Sequence, residues 1–430
     1  MGVQGSSMWN PPGKVSEDCL YLNVWVPYNR PRTRRSPVMV WIYGGGFYSG
    51  TTTLNLYDGK ILADHNNIIV VSIGYRVGAF GFLSLDHPNV PGNAGMFDQL
   101  MALEWVQQNI RHFGGDPNTV TLFGESAGSV SVSLHLLSPL SHGKFHRAIM
   151  QSGSANMPWA TLTQAEAKRR SLELATILGC QKTDVMPDVA DCLRQITPQR
   201  LADEQFVARG PLQFPFLPVV DGIFLPDTPK NLLSRGAFKR CPLLTGSNVN
   251  EGSYFIIYEL DQYMNLTHIT MTRHEFQLAL DYLFLYFPQY PQKINPFAID
   301  AVRYQYTNWQ DQNDIRENVR MLEAALGESQ FICPGSQWAL AYAEAGEKVY
   351  SYYFTQVCTT FFLVTYQAYR SVGHSMCCSM CMSNVHARRD KIHVTAKFGE
   401  VLASLRVYIL FLIVVFQRKK PKGLFLEQSG

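Results

Sequence analysis

A serine hydroxyl becomes a useful nucleophile where the chain lifts it clear and supplies donors for the charge it creates. Gly124-Glu125-Ser126-Ala127-Gly128 has the spacing for this. Glycines on either side of Ser126 relieve the crowding of a sharp turn. The Ala127 amide, opening a helix, would face a developing oxyanion. Upstream, Gly44-Gly45-Gly46 closes an apolar run, and the amides of Gly45 and Gly46 would complete a three-donor hole with Ala127. The two half-motifs together point to acyl transfer through a covalent serine ester. No Walker or dinucleotide pattern follows the glycines, which leaves a phosphate-binding turn without support. Such a serine needs a general base and an acid to orient it. Several carboxylates follow Ser126, and chain order alone does not choose among them.

Positioning these groups requires strands and helices in alternation. Residues 20–26 and 38–43 are short β-branched and aromatic runs, and 68–73 is a continuous apolar run after Asn66-Asn67. Leu100, Leu103, Val106 and Ile110 recur at helical spacing, predicting a helix over 97–110. Residues 119–123 predict a strand and 129–137 a helix, so Ser126 falls in the strand–turn–helix that exposes a nucleophile. A further strand begins near 148. This order predicts an α/β fold, a mostly parallel central sheet with helices on both faces.

Composition excludes several classes. Of 430 residues, 46% are hydrophobic and 17% charged, which fits neither disorder nor a polytopic membrane protein. The net charge of +3 has no dominant basic block, so nucleic acid is not an expected partner. Nine cysteines leave at least one unpaired. Cys180 and Cys192 are spaced for a disulfide loop, Cys19, Cys241 and Cys333 stand alone, and Cys358, Cys377, Cys378 and Cys381 crowd the last quarter. The sequon Asn265-Leu266-Thr267 suggests a secretory route. Residues 1–10 have neither a charged n-region nor an apolar h-region, so no signal peptide is expected in this chain.

Longer motifs make the reading specific. Ser16-Glu17-Asp18-Cys19-Leu20-Tyr21-Leu22-Asn23-Val24, Trp41-Ile42-Tyr43-Gly44-Gly45-Gly46-Phe47 and the run from Phe123 to Gly128 resemble the cholinesterase/carboxylesterase family over about residues 6–356. Within it the likeness is strongest to choline-ester-hydrolysing members of invertebrates. The resemblance implies an α/β-hydrolase fold and a serine esterase acting on choline esters through an acyl-serine intermediate, without cofactor or metal. It implies Glu251 as the acid, in Asn250-Glu251-Gly252-Ser253-Tyr254-Phe255, and a Cys180–Cys192 disulfide. Cys19 and Cys333 match half-cystines whose partners lie outside this chain. Glu17 and Arg76 match a structural ion pair. Trp9 matches the choline-binding tryptophan, whose face attracts a quaternary ammonium, with Glu125 adding negative charge. Tyr254, Tyr258, Tyr48 and Tyr57 match aromatic wall positions. Trp159 and Phe214 match an acyl pocket for short chains, which Leu212, in place of a vertebrate Phe, would loosen. Phe206 stands near a rim tryptophan. Extracellular or cell-surface location and a homo-oligomer are further implications.

The pattern breaks after about 356. No histidine with matching flanks follows Tyr352-Tyr353-Phe354-Thr355, and His374 lies at only a loosely suitable distance. Residues 357–430 are expected to form a divergent tail outside a partial hydrolase domain of residues 1–356, the chain being incomplete at both ends. On this reading the chain alone would hydrolyse choline esters poorly. His374, Cys377, Cys378, Cys381 and His386 fit no zinc finger spacing. The apolar run 407–416 is shorter than the ~20 residues a spanning helix needs. Two alternatives stay open: a broad carboxylesterase, and a noncatalytic adhesion or binding protein on the same fold.

Overall fold

The computed structural model describes residues 9–28, 34–208, 212–263, 265, 268–285, 296–355 and 392–393. His374, the tail cysteines, the 407–416 run and two residues of the sequon lie outside these. Eight strands form one sheet: β1 (Leu22–Trp25), β2 (Ser36–Ile42), β3 (Ile69–Ile73), β4 (Gly115–Glu125), β5 (Arg147–Gln151), β6 (Leu243–Asn248), β7 (Val349–Phe354) and the two-residue β8 (Ile392–His393). Their spatial order is β1-β3-β2-β4-β5-β6-β7-β8. Only β1 runs antiparallel, against β3; every other pairing is parallel. The observed strands and helices sit where the apolar runs predict them, with ends shifted by a few residues. β4 is longer than expected because Gly115 pairs with Ser36 across a register shift.

Period-two alternation divides the core between the two faces of the sheet. Val38, Val40 and Ile42 enter the larger apolar cluster, whereas Met39 enters a smaller one with Val70, Phe123 and Ile149. The helices Ala94–Asn109 and Ala127–Leu137 cover the larger cluster. On the other face, Leu62 and Ala63 of the helix Lys60–Asn66 join the smaller one. β3 is buried throughout, which is why it reads as an unbroken apolar run.

The register brings four strand ends together. Ile42 pairs with Gly124, Glu125 with Gln151, and Gln151 with Gly246. The loops leaving β2, β4, β5 and β6 therefore share the carboxyl edge of the sheet, where open α/β sheets hold their ligands. Among the described residues no helix is long and apolar enough to cross a membrane.

Candidate active site

Ser126 stands between β4 and the helix Ala127–Leu137 with φ 55° and ψ −125°. Such a backbone costs a non-glycine residue about 1–3 kcal/mol and survives only where its surroundings hold it. Here the Ser126 amide donates to the Gln151 carbonyl at 2.9 Å, and its own carbonyl accepts from the Val130 amide at 2.9 Å. A β-carbon on Gly128 would stand 2.0 Å from the Ile42 carbonyl oxygen, so the helix start lies directly on the end of β2. Ala127 is fully buried, but Ser126 keeps part of its surface.

The glycine run passes beside this turn. Gly45 and Gly46 have φ of 112° and 59°, and the amides of Tyr48 and Ser49 both donate to the Gly45 carbonyl, at 3.1 and 3.0 Å. A β-carbon on Gly44 would lie 3.1 Å from the Ser126 Cβ. The amides of Gly45, Gly46 and Ala127 have no protein acceptor among the described residues.

Glu251 is 6% exposed. Its Oε1 accepts from the Asn248 amide at 2.7 Å, and the Ser152 hydroxyl, at the end of β5, also bonds the carboxyl. Burial nevertheless pushes Glu251 up to about 7, helped by the charge of Glu323. Burial pushes Glu125 up to about 8, with Glu251 adding repulsion. Both are held more protonated in the fold than in the unfolded chain. Between about pH 4.5 and 8 these two carboxyls bind more protons in the fold, so their contribution to stability falls as pH rises. The stability from these held protons is complete below the unfolded value and lost as pH passes 7 to 8. Glu125→Gln, which cannot ionise, is expected to reduce the fall in melting temperature between pH 5 and 8.5 by at least about 2 °C. Identical slopes for the two proteins would disprove it.

Aromatic rings form a continuous wall. Phe206 meets Tyr48 at 5.7 Å, Tyr48 stacks on Phe214 at 5.7 Å, and Phe214 meets Trp159 edge-on at 5.6 Å. Trp159 and Phe255 both contact Phe331, and Phe255 leads through Tyr254 to Tyr258, 4.4 Å further on. Burial raises Tyr57 and Tyr254, and Glu125 raises both further, which places its carboxyl within range of these phenols. Trp9 is half-buried, its Nε1 buried without a hydrogen-bond partner. It makes no ring contact with this wall among the described residues.

The model of the carboxylesterase family matches residues 1–397. The chain belongs to the carboxylesterase family. It is 48% identical to the acetylcholinesterase of Bungarus fasciatus over 357 residues, which are 82% of this chain and 57% of that protein. The acetylcholinesterases of Electrophorus electricus and Danio rerio are each 46% identical over 347 residues, 80% of this chain and 53% of theirs. The chain thus spans little more than half the length of these relatives. The family match runs past Gln356, into the stretch read from sequence as a tail, and β8 lies there too.

In this member of the carboxylesterase family the fold corrects one pairing. Arg76 does not bind Glu17; its Nε and Nη2 reach the Asp98 carboxylate at 2.8 and 2.7 Å, and its amide donates to the same group. Asp98 projects from the helix Ala94–Asn109, a tertiary neighbour that motif matching does not reveal. Cys180 and Cys192 form the expected disulfide, while Cys19, Cys241 and Cys333 are free among the described residues. Leu212 is buried at φ 54°. Sequence reasoning missed Ser152 and Glu323. Glu323 accepts from the Gly252 amide at 2.9 Å and from Asn250 Nδ2 at 3.1 Å, bracketing Glu251. The polar run Gln151-Ser152-Gly153-Ser154 after an apolar strand was a usable signal for Ser152. Glu323 carries none, lying 72 residues beyond Glu251 in a helical stretch.

Proposed function

We propose that this chain carries the nucleophile, oxyanion donors, acid and aromatic pocket of a serine esterase that hydrolyses choline esters, an extracellular or cell-surface enzyme of acetylcholinesterase type. Ser126 Oγ attacks the ester carbonyl carbon, and the charge that forms on its oxygen is met by the amides of Gly45, Gly46 and Ala127. The choline alcohol leaves, and water then breaks the acyl-serine bond. Glu251 is the acid that would orient a histidine base carrying the proton between Ser126, the leaving alcohol and the water. Among the described residues no histidine contacts Ser126 or Glu251, and His135 is committed elsewhere, to Ser141 and Gln99. Trp9 takes the quaternary ammonium with Tyr254 and Tyr258, Glu125 adds charge, and Trp159 with Phe214 bounds the acyl group.

The observation that carries this reading is the strained Ser126 at the carboxyl edge, beside a glycine loop whose amides are unengaged. Specificity is tested at Trp9. Trp9→Ala is expected to weaken acetylcholine turnover much more than that of its neutral isostere 3,3-dimethylbutyl acetate. Only the cation loses an aromatic face, a contact worth about 2 kcal/mol when desolvated, or roughly thirtyfold in kcat/KM. Equal losses for both esters would assign Trp9 to packing.

A further inference from the structure

The segment 212–216 carries Phe214 yet belongs to no helix or strand, so its shape must be imposed from outside. Leu212 lies at φ 54°, left-handed backbone that a branched residue avoids. Its amide donates to Glu259 Oε2 at 2.6 Å. Two residues on, Arg170 Nη1 donates to the Phe214 carbonyl at 2.7 Å and to that of Pro215 at 3.3 Å. The Arg170 side chain is 1% exposed, and its Nε is held by Glu166 Oε1 at 2.7 Å. Glu166 is in turn gripped by Arg169.

Three backbone groups of one short loop therefore end on two ionisable side chains from different helices, Gln164–Ile177 and Ser253–Glu259. Polar groups withdrawn from water are costly unless hydrogen-bonded; Glu259 Oε2 and Arg170 Nη1 bond this loop, while Arg170 Nε bonds Glu166. What the loop fixes is a ring. Phe214 Cδ1 and Cε1 would lie 2.8 Å from a β-carbon on Gly46, so the ring rests against the glycine run. A small displacement of the loop would open the space between Phe214 and Gly46.

We propose that Glu259 and Arg170 are positioning residues that hold Phe214 against Gly46 and thereby set the longest acyl chain the site accepts. Neither touches the ester; both act through the backbone of 212–216. The inference rests on the esterase reading above for the role of Phe214.

Two measurements on the protein and its variants test it: hydrogen exchange at the Leu212 amide, and the ratio of kcat/KM for butyrylthiocholine to that for acetylthiocholine. Glu259→Ala is expected to speed Leu212 exchange about tenfold and raise the butyryl-to-acetyl ratio about tenfold. Glu259→Gln, which retains an acceptor oxygen, should fall between this and the parent, and serves if the alanine variant does not fold. Arg170→Lys loses the planar fork and should raise the ratio while leaving Leu212 exchange unchanged. A merely structural role would lower both esters alike. Unchanged Leu212 exchange in the Glu259 variants overturns the proposal, and so does an unchanged ratio in folded, active variants. Absence of turnover by the parent would instead sink the esterase reading, and exchange alone would then decide whether the clamp exists.

Discussion

A fluorophosphonate probe is expected to attach covalently to Ser126, and Ser126→Ala to abolish that labelling. The substitution removes the attacking oxygen but leaves the turn intact, because the bonds that hold φ at 55° are made by backbone groups. The fold should therefore survive, and circular dichroism would verify it. On the proposed reading any residual hydrolysis would come from the amides of Gly45, Gly46 and Ala127, which would stabilise an oxyanion whatever the nucleophile. Mass spectrometry of the labelled, folded protein decides the matter. An adduct on another residue, or undiminished labelling of the alanine variant, would refute the assignment.

Gly128→Ala should be nearly as damaging without removing a single reactive atom. The added methyl would stand 2.0 Å from the Ile42 carbonyl oxygen and 2.8 Å from that of Tyr43. Both obstacles are backbone, so no rotamer relieves them. The helix Ala127–Leu137 must back away from β2, carrying the Ala127 amide away from the loop that begins at Gly44. Overpacking of this kind costs about 1–3 kcal/mol, and more where backbone must move. A melting temperature lower by about 2–5 °C and a large loss of labelling rate at Ser126 are expected together. An unchanged melting curve would show that the contact is softer than its geometry implies.

Legibility followed the range of the interactions. The apolar run read as a strand over 68–73 is β3 at Ile69–Ile73 because burial on both faces writes itself into consecutive residues. The turn at Ser126 was readable because strand, glycines and helix adjoin it. Glu251 was nominated by resemblance alone, since nothing local distinguishes it from other carboxylates. The groups that bond Glu251 or its turn, Asn248, Ser152 and Glu323, come from two strand ends and a distant helix. Asn248 adjoins Glu251 in sequence, but only the fold brings Ser152 and Glu323 to it. The same limit explains Arg76. Glu17 was the partner suggested by motif, whereas the helix Ala94–Asn109 delivers Asp98 within 2.7 Å. Arg170 and Glu259 have no sequence mark at all, because what they bind is backbone.

The parallel sheet also governs how quickly such a molecule can assemble. The serine turn is built by neighbours in sequence, but its companions are not. Val40 meets Leu122, Ile149 meets Leu244, and Leu243 meets Val349, each pairing closing a loop of about eighty to over a hundred residues. Every such closure spends chain entropy before any contact repays it, and sheets of this kind are among the slow folders. The carboxyl edge, which needs β2, β4, β5 and β6 in register at once, is complete only when all these closures have been made. Substitutions far from Ser126 that hinder strand pairing should thus lower the yield of competent protein, through the speed of folding, even where the finished structure is unharmed.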